Sequence, residues 1–140
     1  MQRLTILGST GSIGQSTLDV VRRNSHRYQV FALVAGRNLD LLIEQIREFA
    51  PQVAVVARPE DVAVLAQRLK SAGIPAPDLR SGSASYTEVC TCAETDFVMS
   101  AIVGVAGMEA TYEAIRHRKR IGLANKETLV AGGSLVMAAV

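Results

Sequence analysis

The sequence predicts an α/β domain with a doubly wound, mainly parallel sheet and helices on both faces. Three observations carry that prediction. Short, nearly continuous apolar runs alternate with longer segments of helical periodicity. Uninterrupted apolar strands mean that both faces of the sheet are covered, as in parallel α/β domains. The breaks after most of these runs hold Gly, Arg, Asn or Lys, and right-handed crossovers gather such exits along one edge, where ligands bind.

The elements follow in order. Residues 4–7 form a short buried strand that stops at Gly8. Residues 8–14 turn the chain, and from Ile13 to Val21 the spacing of Ile13, Thr17, Val20 and Val21 is helical, with Asn24 and Ser25 closing the helix. QVFALVA, residues 29–35, is a second strand with GRN as its exit. Leu39, Leu42, Ile43, Ile46 and Phe49 give the next helix its packing face, and Pro51 follows its end. VAVVA, residues 53–57, is a third strand. Pro59 and Glu60 open a helix that reaches about Ala72, with Gly73 as its stop. Residues 74–85 are rich in Pro, Gly and Ser and hold at most a short edge strand around Leu79. DFVMSAI, residues 96–102, is a fourth main strand, separated by Gly104 and Gly107 from a helix over residues 108–117. RIGLA, residues 120–124, is a fifth, and Lys126 or Glu127 starts a last helical run. That run ends as SLVMAAV with no cap, so a longer protein is expected, with residues 1–140 as its nucleotide-binding domain.

Composition narrows the function. A chain of 140 residues that is 49% hydrophobic suits one domain with a real core. With three Phe, three Tyr and no Trp, that core is aliphatic. Fifteen Lys and Arg against 13 Asp and Glu leave a formal charge of +2, too small to imply a nucleic-acid partner. Cys90 and Cys92, which on a regular strand would share a face, make neither a zinc set nor a disulfide framework. No signal peptide and no membrane-length apolar stretch is legible, so a cytoplasmic protein is expected.

LTILGSTGSIG, residues 4–14, is the sharpest feature. Its spacing is GxxGxxG rather than the GxGxxG of the common dinucleotide turn, but it stands between a strand and a helix. Gly8 suits angles that a Cβ resists, Gly11 clears space for a pyrophosphate, and Gly14 allows close helix packing. The N–H groups of Gly11, Ser12 and Ile13 are expected to face an anion from the helix start, with the hydroxyls of Ser9, Thr10 and Ser12 as further donors. A plain structural turn is the competing reading. The sequence is not a P-loop, because Gln15 and Ser16 follow Gly14. At the second exit, Ala35, Gly36, Arg37 and Asn38 lack the acid that holds an NAD ribose. Arg37 can instead grip a 2′-phosphate, which favours NADPH, and Asn38 can cap the following helix. A solvated loop arginine is the alternative for Arg37.

The later exits are SAIVGVAG, residues 100–107, whose small residues suit either close approach to a cofactor or plain steric relief at a sheet–helix junction, and LANKETLV, residues 123–130. In the latter, Lys126 can neutralise a substrate anion, Asn125 can hold a cofactor amide or ribose, and Glu127 suits a first helical turn. The basic run of Arg116, Arg118, Lys119 and Arg120 is expected at the opposite end of the sheet, and His26 and His117 on the surface.

GSTGSIG, AGRN, AIVGVAG and LANKETLV together resemble the N-terminal, Rossmann-like domain of the 1-deoxy-D-xylulose 5-phosphate reductoisomerase family, over essentially the whole chain. The resemblance implies NADPH binding through Thr10, Gly11, Ser12 and Ile13, with Gly36, Arg37 and Asn38 around the adenosine 2′-phosphate. It implies cofactor contacts at Asn125 and Glu127 and a sugar-phosphate contact at Lys126. It also implies a homodimer of the full-length protein and a Mg²⁺ or Mn²⁺ ion held by residues beyond this chain. The implied reaction converts 1-deoxy-D-xylulose 5-phosphate to 2-C-methyl-D-erythritol 4-phosphate, in the non-mevalonate isoprenoid pathway; residues 1–140 alone are expected to bind NADPH without catalysis. Three rivals remain: another NADPH-dependent enzyme with a similar first domain, a non-catalytic NADP(H)-binding sensor or structural domain, and a purely structural domain that needs no ligand.

Overall fold

The computed structural model describes residues 1–101 and 105–123. In chain order these form β1 (Gln2–Leu7), α1 (Ser12–Arg23), β2 (Tyr28–Val34), α2 (Leu39–Phe49), β3 (Val53–Val56), α3 (Pro59–Ser71), β4 (Asp78–Ser81), α4 (Ser83–Thr91), β5 (Phe97–Ser100), α5 (Val105–Arg116) and β6 (Arg120–Leu123). The strands make one sheet in the order β4-β3-β2-β1-β5-β6. Every neighbouring pair is parallel. The sequence grows outward from β1 to one edge, then returns to the other side of β1. The strand order therefore reverses between β1 and β5, where open α/β sheets bind their ligands.

Alternation along the strands builds two cores, one on each face. Leu4, Ile6, Leu33, Val56 and Met99 pack with Leu18 and Val21 of α1, Leu42 and Ile46 of α2, and Leu65 and Leu69 of α3. Leu7, Ala32, Val34, Val55, Val98 and Ile121 pack on the other face with Tyr86, Val89 and Cys90 of α4 and Ala110 and Ala114 of α5. Helices cover both faces, as the apolar strands require. One irregularity interrupts the β1–β2 ladder: Leu4 pairs with Val30 but Thr5 with Ala32, so Phe31 is an extra residue, a β-bulge in β2.

Helix ends follow local chemistry. The Asn38 side chain accepts from the Leu41 N–H at 3.1 Å and caps α2. Pro59 opens α3, with Glu60 and Asp61 in its first turn and Arg68 and Lys70 in its last, each sign matched to the helix dipole. Among the described residues no helix is long and apolar enough to cross a membrane.

The structure adds to or corrects the sequence expectations at three places. The stretch after β4 contains α4, where the sequence predicts no element, with Ser85, Tyr86, Val89 and Cys90 buried. Cys90 is therefore helical and Cys92 is the helix C-cap, so the pair does not lie on a strand. Gly107 does not separate β5 from the next helix; α5 starts at Val105 and runs through it.

Candidate functional site

The turn after β1 is fixed from two sides. Gly8 has φ of +86°, the left-handed region open to glycine. The N–H groups of Gly8 and Ser9 both donate to the Val34 carbonyl, at 2.8 and 3.0 Å, tying the turn to the end of β2. From α2, the Gln45 side chain reaches across and donates Nε2 to the Ser9 carbonyl at 2.8 Å. Gln15 donates Nε2 to the Thr10 carbonyl at 3.1 Å.

The glycines divide by what the fold asks of them. A Cβ on Gly14 would lie 2.2 Å from the Gly8 carbonyl oxygen and 2.6 Å from Ser9 Cα, so α1 reaches its place only with no side chain there. A Cβ on Gly11 would meet nothing closer than that same oxygen, at 3.6 Å, and one on Gly36 would meet nothing within 4 Å. Neither has a backbone angle that excludes a side chain. Packing among the described residues thus leaves space beside Gly11 and Gly36 unfilled.

Gly11 is the N-cap of α1 and supplies no side-chain cap, and no acid stands in the first turn. The N–H groups of Ser12 and Ile13 have no acceptor among the described residues. A helix start with bare donors and an uncompensated dipole favours an anion. Two expected donors are withdrawn: the Gly11 N–H is taken by the Gly8 carbonyl at 3.2 Å, and Ser9 is fully buried, with no partner for its hydroxyl. Thr10 and Ile13 are half-buried and Ser12 is exposed.

The neighbouring exit of β2 brings Gly36, Arg37 and Asn38 to the same edge. Arg37 is exposed and forms no ion pair among the described residues. Asp40, three residues on, is held by Arg68. Among the described residues nothing takes the donors of the Arg37 guanidinium, while Asn38 serves both as cap and as the end of the loop.

β5 lies beside β1, as close approach of its exit to the site requires. The Ser100 hydroxyl is turned to Thr111 of α5 at 2.8 Å. Asn125, Lys126 and Glu127 lie outside the described residues, as do residues 102–104 of the β5 exit. The perturbed titrating groups lie away from the turn. Hydrogen bonding from Arg3 holds the Asp96 carboxyl below its ordinary range, and burial pushes the Cys90 thiol up to about 12. Asp96 also borders an open cavity of about 480 Å³ at the opposite edge of the sheet, with His117, Arg118, Lys119 and Arg120 around it. The basic run is therefore remote from the glycine turn, as expected.

Residues 4–133 match the family described as 1-deoxy-D-xylulose 5-phosphate reductoisomerase. The chain belongs to that family. The reductoisomerase of Solibacter usitatus is 57% identical over 143 residues, covering 100% of this chain and 36% of the relative. That of Dechloromonas aromatica is 47% identical over 140 residues, covering 100% and 35%. A solved DOX-P reductoisomerase in complex with NADPH, fosmidomycin and magnesium superposes with a TM-score of 0.82 at 40% identity, over 92% of this chain and 31% of that one. The reductoisomerase of Zymomonas mobilis in complex with NADPH gives 0.79 at 40% identity, over 91% and 33%. The chain thus spans about a third of the length of the reductoisomerases it matches.

One residue of this site escaped the sequence reading. Gln45 is 5% exposed on the packing face of α2. The signal was a polar residue set between the apolar positions Leu42 and Ile46.

Proposed function

We propose that residues 1–140 are the NADPH-binding domain of an enzyme that converts 1-deoxy-D-xylulose 5-phosphate to 2-C-methyl-D-erythritol 4-phosphate. The observation that carries this reading is the pairing of two unsatisfied cationic features on adjacent strand exits. One is the start of α1, bare among the described residues, beside a Gly11 with open space; the other is Arg37, which has no ion-pair partner among the described residues. Together they fit a dinucleotide with a diphosphate and a 2′-phosphate. The NADPH complexes of two reductoisomerases support it.

In this reading the Ser12 and Ile13 N–H groups hold the diphosphate, Gly11 lets it approach, and Thr10 borders it. Arg37, with Gly36 and Asn38, holds the 2′-phosphate. Asn125 and Glu127 are assigned to the cofactor and Lys126 to the sugar phosphate, by family resemblance. Bound NADPH supplies a hydride; this domain's own task is to position the donor. Among the described residues no three His, Cys, Asp or Glu side chains come together to hold a metal ion. The Mg²⁺ or Mn²⁺ is assigned to residues beyond this chain. The full-length protein is read as a homodimer, from the resemblance, and as cytoplasmic.

The test is calorimetric titration of the protein at natural length, wild type and Arg37→Ala, with NADPH and NADH. Wild type should prefer NADPH. Arg37→Ala should lose about 1.5–3 kcal/mol for NADPH, the worth of a charged hydrogen bond, and little for NADH. Equal losses for the two cofactors would refute the 2′-phosphate role. A non-catalytic sensor would bind NADPH equally well but show no turnover of the sugar phosphate.

A further inference from the structure

We infer that Gln45 is a positioning residue that sets the spacing between the diphosphate cradle and the 2′-phosphate arginine, and so contributes to the choice of NADPH over NADH. The inference rests on the cofactor reading above.

α2 carries Arg37 and Asn38 just before its first residue, and Gln45 lies about two turns further along, roughly 10 Å down the axis. From there its Nε2 donates to the Ser9 carbonyl at 2.8 Å, a buried bond between residues 36 apart in sequence. Ser9 is the second residue of the glycine turn, and its N–H is already held by β2. The turn and the base of the arginine exit are thus joined twice, through the end of β2 and through Gln45. The first link fixes the turn to the sheet. The second fixes it to the helix whose N-terminus presents Arg37.

Packing alone does not call for glutamine here. Its neighbours on the helix, Leu42, Ile43 and Ile46, are buried and apolar. Gln45 Oε1 has no partner, so half of the buried amide is unsatisfied among the described residues. A methionine or leucine would fill the space without that cost. What glutamine adds is one directed donor to the turn.

A ligand that grips the turn alone tolerates a change in the turn–helix spacing. A ligand that must reach both the turn and Arg37 does not, because its second contact depends on preorganisation by the first. Loss of the Gln45 bond should therefore weaken NADPH more than NADH.

The experiment measures NADPH and NADH dissociation constants for wild type and Gln45→Met at natural length, alongside thermal unfolding. The expected result is an NADPH:NADH preference narrowed about tenfold in Gln45→Met. An unchanged preference, whether both affinities hold or both fall equally, overturns the inference and leaves the cofactor reading standing. Absence of NADPH binding by folded wild type overturns both. A second measurement needs no variant: hydrogen exchange of the Gln45 side-chain amide in wild type, with each cofactor at saturation. Linkage requires that the ligand favoured by the bond also strengthen it. Exchange slowed several-fold more by NADPH than by NADH is expected; equal slowing overturns the inference.

Discussion

Gly14→Ala and Gly11→Ala introduce the same methyl group three residues apart, and the structure assigns them different consequences for stability. At Gly14 the new Cβ would sit 2.2 Å from the Gly8 oxygen, 2.6 Å from Ser9 Cα and 2.7 Å from the Ser9 carbonyl carbon. Carbon contacts are comfortable at about 3.5–4.0 Å, so the backbones must part by about an ångström. All three atoms are main chain, so no rotamer change relieves the clash. Overpacking of this kind costs about 1–3 kcal/mol or more, against about 1 kcal/mol regained from alanine's helix preference. A net loss of about 1–2 kcal/mol is expected, with weaker NADPH binding because the turn is displaced. At Gly11, φ of −78° suits alanine, and the nearest contact is an ordinary 3.6 Å. Stability should stay within about 0.5 kcal/mol of wild type, while the methyl enters the space assigned to the diphosphate and weakens NADPH about tenfold, or ~1.4 kcal/mol. Urea unfolding followed by circular dichroism, with NADPH titration, reads both. Equal stability losses at the two positions, or a Gly14→Ala protein that unfolds and binds as wild type does, would refute this division of roles.

Two further outcomes are expected. The folded-state pKa of Asp96 is depressed by Arg3, so its stabilising contribution is present above the ordinary carboxylate range and is lost as pH falls through the lowered value; Asp96→Asn should flatten the decline of stability below about pH 4, and an unchanged acid limb would count against the pair. A thiol reagent at pH 8 should modify the half-buried Cys92 but reach Cys90 only after unfolding, because burial holds the Cys90 thiol protonated up to about 12; mass spectrometry of native and denatured samples decides it.

Where local chemistry dictated structure, the sequence was readable. Asn38 caps α2 as its residue type and place suggested, Pro59 opens α3, and the Gly8 turn lies between β1 and α1. α4 was hidden because SASYTEVCT offers few strong helix formers, and its N-cap Gly82 makes no side-chain cap. Its buried positions 85, 86, 89 and 90 do keep helical spacing, but two of the four are small side chains. The site was legible in its residues but not in its donors. That Gly11 spends its N–H on Gly8, and that Ser9 is buried with Gln45 bonded to its carbonyl, depend on how the turn folds back. Spacing alone carries no record of either.

The reversal of strand order also shapes how this protein is made. β1 to β4 occupy successive places in the sheet and can assemble in the order in which they leave the ribosome. The other side of β1 is completed only by β5, with Arg3 and Asp96 bonded across 93 residues. At about 5–20 residues per second, roughly 5–20 s pass between the synthesis of those two residues. During that interval the nascent sheet has its future central strand, with the apolar Leu4, Ile6 and Leu7, as an open edge. Such an edge is a template for unwanted strand pairing, so the interval before β5 emerges leaves the future centre of the sheet open to mispairing.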